Sequence, residues 1–253
     1  DLSSEHQEAI ANAASPLITR RLAAEIPWVT CRYPTPALAQ EAGMSLKEFE
    51  DFLFGCVLLD WDAEGEKMQR IKERFDQAKE VRIVGHETDL RFSIDGREGW
   101  VDDGHFNMPG GEVFYCPVED STEGLVAFSE FPAVREADVV EGVQMRYENG
   151  RVVEASASSN EDVLLRALDR DEGARVLGEF GIGCNPGIQR HMKNTLFDEK
   201  MYGTIHLAVG AGIPVAGGMN QSATHWDMVK DLRNEGRIEL DGEVVQEHGA
   251  WTF

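Results

Sequence analysis

The chain has 253 residues, with 46 acidic against 24 basic side chains and a formal charge of −22. Hydrophobic residues make up 42% and are dispersed throughout, enough for a packed interior, which excludes a disordered chain. No stretch approaches the roughly 20 apolar residues of a membrane helix. Without a basic stripe, nucleic acid is excluded as a partner.

The basic residues divide into 17 Arg and 7 Lys, and the acids are spread along the whole chain. Diffuse acidity favours solubility and makes the compact state self-repelling at low salt. Poor in Lys, the pattern suits a cell interior of molar salt, so a halophile is expected. The Debye length is about 30 Å at 10 mM salt and about 3 Å at 1 M. Melting temperature should therefore climb with salt. A flat salt series would remove the halophile reading. Cys31, Cys56, Cys116 and Cys184 form no C-x-x-C pair and no disulfide framework. Cys56, in the apolar run 52–59, is expected in the core. No signal peptide opens the sequence, which begins at Asp1, and a reduced, cytoplasmic protein is expected.

In chain order, Ile10, Leu17, Leu22 and Ile26 recur at helical spacing over His6 to Ile26, with Pro16 as a kink. Trp28 to Tyr33 is β-branched and aromatic and predicts a strand that ends in the turn Pro34-Thr35-Pro36. Ser45 with Glu48 forms a capping box for a helix whose Leu46, Phe49, Phe52, Leu53 and Cys56 share a face. A further helix is predicted over Ala63 to Lys79. From residue 80 period-two alternation takes over. Strands are predicted at Val81–Val84, Leu90–Ile94, Glu112–Cys116, Gly124–Ser129, Ala137–Tyr147 and Arg151–Ala155, with a hairpin at Asn149-Gly150. A helix over Asn160 to Leu168 precedes apolar strands at Val176–Ile182, Gly203–Val209 and Ala223–Val229. Asp241-Gly242 predicts a last hairpin. The expectation is one α+β domain over 1–253 dominated by a mixed sheet. Residues 1–79 are mainly helical in this reading, and 80–253 mainly sheet.

Chemistry concentrates in those last strands. In His225-Trp226-Asp227, residues i and i+2 of a strand project to one face, pairing an imidazole with a carboxylate. Zn²⁺, Mn²⁺, Co²⁺ and Fe²⁺ all accept such ligands, although H-x-D also arises as an ion-paired surface histidine. His206 interrupts an apolar strand and needs a partner, whether a metal or a core hydrogen bond. Glu179 is a carboxylate within another apolar strand, costly unless paired or metal-bound. Glu112 begins a third strand, where it is a ligand or simply an exposed residue. Together these make two histidines and three carboxylates, which fits two divalent ions bridged by a carboxylate, the chemistry of amide hydrolysis. Gly181 to Gly187 is no dinucleotide fingerprint, because its third glycine comes one residue late.

The segments Tyr33–Ser45, Asn107–Val113, Gly178–Asn185, Phe197–Lys200, Gly203–Gly210 and Gly217–Asp227, in this order, resemble the thermophilic-type, aminopeptidase T-like metallo-aminopeptidases. The resemblance covers nearly the whole chain. It implies that Glu112, Glu179, His206, His225 and Asp227 bind two divalent ions (Zn, Co or Mn), with Glu179 bridging. The implied activity removes the first residue of small peptides. Glu179, or else Glu112, carries the proton, and a metal, Asp227 or Glu199 holds the α-amine. The family has a catalytic tyrosine seven residues after its first metal histidine. That position is Ile213 here, and Tyr202 is the expected substitute. The resemblance further implies a homodimer, and the expectation is a halophilic archaeal member without the family's N-terminal α/β domain. Two other readings stand beside it. One is a mononuclear Fe(II) ring-cleaving dioxygenase using His206, His225 and Asp227, and the other a non-catalytic metal-binding module.

Overall fold

The computed structural model describes residues 26–135 and 138–253, together with His6, Ile10, Ala13, Ala14, Leu17 and Arg20. Those six are helical as expected, with Ile10 and Leu17 exposed. Pro16, Leu22 and Ala137 lie outside the described residues. The strand expected over Trp28–Tyr33 shrinks to β1 (Thr30–Cys31), which pairs in parallel with β5 (Asn107–Met108).

Helix α1 (Pro36–Glu41) occupies the segment entered by the expected turn. Thr35 Oγ1 accepts the Leu38 N–H, and Pro36 stands in the first helical turn, where an N–H would have no helical partner. Helix α2 (Leu46–Val57) starts at the predicted capping box and buries Phe49, Leu53 and Cys56. Helix α3 (Trp61–Phe75) opens two residues early because Asp60 caps it, accepting the Ala63 N–H.

Eight strands form one sheet in the order β11 (Arg151–Ser156), β10 (Val143–Glu148), β7 (Glu123–Phe128), β3 (Thr88–Ser93), β2 (Glu80–Gly85), β15 (Arg237–Leu240), β16 (Glu243–Glu247), β17 (Ala250–Trp251). Five form a second, in the order β14 (His225–Asp231), β13 (Thr204–Gly210), β12 (Leu177–Gly183), β6 (Glu112–Tyr115), β4 (Trp100–Asp102). The α+β class holds. Both large sheets are antiparallel throughout, and β1 with β5 is the one parallel ladder among the described residues. The two predicted hairpins form at Asn149-Gly150 and Asp241-Gly242, each with positive φ at both residues, as a type I′ turn requires. The strand expected over Ala137–Tyr147 is broken. Gly142 turns at φ +64 between β10 and β9 (Asp138–Val140), and β9 pairs instead with β8 (Ala133–Arg135).

Alternation along the five-stranded sheet positions the site. Phe180, Ile182, Ile205, Leu207, Val209, Trp226 and Met228 point into the main core, which they share with the eight-stranded sheet through contacts such as Phe92 on Phe180. With period two, the opposite face is left to Glu179, Gly181, His206, His225 and Asp227. A second cluster, with Phe49, Leu53, Cys56, Ile188, Phe197 and Met201, packs α2 against the segment leading into β13.

Candidate metal centre

Four antiparallel strands bring the five expected ligands together. Glu112 starts β6, Glu179 lies in β12, His206 in β13, and His225 and Asp227 in β14. Register explains the convergence: Glu179 faces Ala208, which faces Asp227, while Gly181 faces His206. Small neighbours leave the functional side chains room. A Cβ on Gly181 would lie 1.9 Å from the His206 ring, so only glycine lets the imidazole lie over β12. Gly111, at φ +113 just before Glu112, similarly packs against Asn185, whose side-chain amide donates to the Gly110 and Cys56 carbonyls.

Glu179 lies between two groups of possible ligands. Glu112, Glu179 and His206 form one, and Glu179, His225 and Asp227 the other, with ligand atoms within 4.8 Å of each other in each. His206 Nε2 is 3.3 Å from Glu179 Oε1 and 3.5 Å from Glu112 Oε2. His225 Nε2 is 3.1 Å from Glu179 Oε2 and 3.7 Å from Asp227 Oδ1. Two ligands about 2.1 Å from a tetrahedral ion stand about 3.4 Å apart, so these separations suit a shared cation. The ring orientations agree. His206 Nδ1 is 2.9 Å from the Glu199 carbonyl and His225 Nδ1 2.9 Å from the Ala211 carbonyl. A carbonyl only accepts, so each Nδ1 carries a hydrogen and each Nε2 is left for a metal or a second proton. Glu112 Oε2 is buried without a hydrogen-bond partner, as a carboxylate oxygen awaiting a cation would be. The donor set fits a divalent ion.

Lys200 is the residue that sequence reasoning missed. Its ammonium is fully buried and donates to Glu112 Oε1 at 2.9 Å and to Glu199, and Asp102 Oδ2 lies 3.6 Å away. It stood inside a recognised segment, but its partners Glu112 and Asp102 are far away in the chain. Tyr202 requires a correction. It lies in the turn before β13, its N–H donating to the Ile188 carbonyl, and lines a separate cavity with Lys67, Cys184, Trp251 and Phe253. It does not join the cluster, and the catalytic role expected of it falls away. Ile213 does line the cavity above the cluster.

That cavity, of about 390 Å³, has two characters. Asp102, Glu112, Glu179, Glu199 and Asp227 supply carboxylates on one side. Trp28, Trp100, Phe106, Phe114, Ile213 and Val215 supply apolar surface, with Phe106 touching both Trp28 and Trp100 at ring separations near 5.5 Å.

Without a cation the cluster holds protons instead. Burial pushes the His206 imidazole down, but Glu179 and Glu112 outweigh it and hold it at about 10. His225 is exposed at the cavity mouth, yet it too is held at about 10: partial loss of water around the ring lowers it, and Asp227 and Glu179 outweigh that. Burial would raise Glu179, yet the two imidazoles bring it to about 2. Metal binding must displace those histidine protons. Zn²⁺ titrated at pH 7 should therefore release about two protons per chain, and affinity should rise with pH. Calorimetry in two buffers of different ionisation enthalpy measures the release. No release would take His206 and His225 out of the ligand set.

The model of the thermophilic metalloprotease family (M29) matches residues 2–251. The chain belongs to the M29 family. Aminopeptidase AmpS of Bacillus subtilis (strain 168) is 31% identical over 220 residues, 74% of this chain and 52% of AmpS. Aminopeptidase T of Thermus thermophilus is 41% identical over 162 residues, 58% of this chain and 38% of that protein. This M29 chain thus spans about half the length of the curated relatives it matches. The solved structure of wild-type AmpT from Thermus thermophilus superposes with a TM-score of 0.80 at 26% identity, covering 100% of this chain and 72% of that one. A 2,5-dihydroxypyridine dioxygenase from Pseudomonas putida KT2440 shares the fold, with a TM-score of 0.71 at 15% identity. M29 membership implies a divalent metal cofactor, and the Glu/His/Asp cluster is where this chain can hold it. No helix among the described residues is long and apolar enough to cross a membrane.

Proposed function

We propose that this chain is a metal-dependent aminopeptidase that holds two divalent ions and removes apolar first residues from small peptides. The observation that carries the reading is Glu179, whose two oxygens face the two histidines of separate ligand groups. Charge supports the count of two. Five carboxylates border the cavity against the single ammonium of Lys200, leaving four negative charges with neutral imidazoles. Two divalent ions balance them. Nitrogen and oxygen donors of this kind suit Zn²⁺, Co²⁺ or Mn²⁺.

When bound, such ions polarise a carbonyl and make water acidic enough to react near neutral pH. The remaining work belongs to the chain. Glu112, Glu179 and His206 would hold one ion, and Glu179, His225 and Asp227 the other. The Glu199 and Ala211 carbonyls orient the two rings, and Lys200 fixes Glu112 through Oε1. We assign Glu179 the proton transfer from the attacking water to the leaving amine. The aromatic wall excludes water and receives the first side chain, where Ile213 adds apolar surface but no hydroxyl.

Protein stripped by chelator should regain leucine-arylamide hydrolysis when Zn²⁺, Co²⁺ or Mn²⁺ is restored, with two ions per chain by elemental analysis. One ion per chain with oxygen consumption would favour the mononuclear iron reading. Metal binding without turnover across a panel of first residues would favour the non-catalytic one.

A further inference from the structure

Asp198 is buried, belongs to neither ligand group and does not line the metal cavity. Its carboxylate instead gathers three groups from the loop before it. Oδ1 accepts the Met192 N–H at 2.5 Å, and Oδ2 accepts the Asn194 N–H at 2.7 Å. His191 Nε2 lies 3.2 Å from Oδ2, with its ring stacked on Phe131 at a centroid separation of 5.1 Å. Burial holds His191 at about 4, so at neutral pH the ring offers Asp198 an N–H and no charge. The helix that Asp198 ends, Thr195–Asp198, is a single turn, and Asn194 at its start makes no side-chain capping bond. One isolated turn does not hold itself together in water. The Asp198 carboxylate ties the end of that turn to the loop entering it, and the next two residues inherit the position.

Those two residues serve one half of the centre. The Glu199 carbonyl orients His206, and the Lys200 ammonium holds Glu112 Oε1. His206 and Glu112 belong to the same ligand group. The other group is oriented from elsewhere, because His225 donates to the Ala211 carbonyl, beyond β13. We infer that Asp198 is a positioning residue for the Glu112–Glu179–His206 group alone, acting through Glu199 and Lys200. This role rests on the ligand groups proposed above and is independent of turnover. Residues that orient metal ligands from behind are worth about 10- to 100-fold in metal affinity.

The test is zinc affinity, measured by competition with a chromophoric chelator, for D198N combined with H225A or with H206A. Burial pushes the Asp198 carboxyl up to about 7, so the titrations are run at pH 8, where it is mainly ionised. Adding D198N should cost about 10- to 100-fold in the H225A background, where zinc is left to the His206 group. In the H206A background, where zinc is left to the His225 group, adding it should change nothing. A general loss of stability would weaken zinc equally in both backgrounds. Equal losses would therefore overturn the assignment, as would unchanged affinity in H225A. H191F keeps a ring on Phe131 and removes one donor, and should give the same pattern at smaller size. Should D198N fail to fold, an H191F series without that pattern would overturn the assignment instead. No zinc binding by the unsubstituted chain would refute the metal centre as a whole, and this role with it.

Discussion

Glu179→Gln protein is expected to lose at least one ion per chain and at least about 10²-fold in hydrolysis, the lower end of a general acid–base contribution. The substitution keeps the shape of the side chain within β12 but halves its ability to face two histidines. An amide offers one acceptor oxygen and one donor nitrogen, so either the His206 or the His225 side is left without an anionic partner. A signature in the metal-free protein separates this effect from simple misfolding. Glu179 is held at about 2 in the folded state, below its ordinary 4.5. A depressed carboxyl contributes stability above its unfolded pKa and loses it as pH falls through the folded one. Metal-free Glu179→Gln should therefore be less stable than wild type at pH 7, with the gap closing between pH 4.5 and pH 2. Urea midpoints across that range measure it. Full metal occupancy and undiminished turnover in the variant would leave the bridging role without support.

Lys200→Met is expected to destabilise the metal-free protein by about 3–5 kcal/mol, the usual consequence of removing one partner from a buried ionic group. The methionine fills most of the lysine's volume, so the loss is electrostatic. Glu112, Glu199 and Asp102 would share a buried region with no ammonium between them. Burial already raises Asp102 to about 6 with Lys200 beside it, and raises Glu112 and Glu199 as well. Acids with raised folded pKa values withdraw stability as pH climbs past their unfolded values. The deficit should thus be largest above pH 6 and shrink toward pH 4. Metal loading should recover only part of it, because Asp102 and Glu199 lie outside both ligand groups. Equal unfolding midpoints for variant and wild type at pH 7 would show that the ammonium is replaceable.

Local signals in the chain account for much of this protein. Ser45 and Glu48 marked the start of α2, Asn149-Gly150 and Asp241-Gly242 marked their hairpins, period-two alternation marked β2 and β3, and apolar runs marked β12 and β13. These signals act within a few residues, through caps, turn φ values and the pleat of a strand, so they can be read without knowing the fold. The spacing of His225 and Asp227 was legible for the same reason. Pro36 was misread because a proline serves a turn and a helical first turn equally well, and the choice rests on whether Thr35 caps the next three residues as a helix.

Other features depend on partners distant in the chain, and there only packing decides. Lys200 meets Glu112 across 88 residues of separation, and no periodicity encodes that pairing. The turn before β13 brings Lys200 into the site while Tyr202 lines the other cavity, a divergence two residues apart that their identities do not foretell. Gly181 is read in sequence only as a break in an apolar run. In the sheet it is the one residue without a Cβ to strike the His206 ring, because strand register brings β13 alongside it. Patterning along the chain thus settled which residue types line each strand. Antiparallel register settled which of them can share a cation, since ligand atoms must approach within a few ångströms and only tertiary packing sets distances of that size.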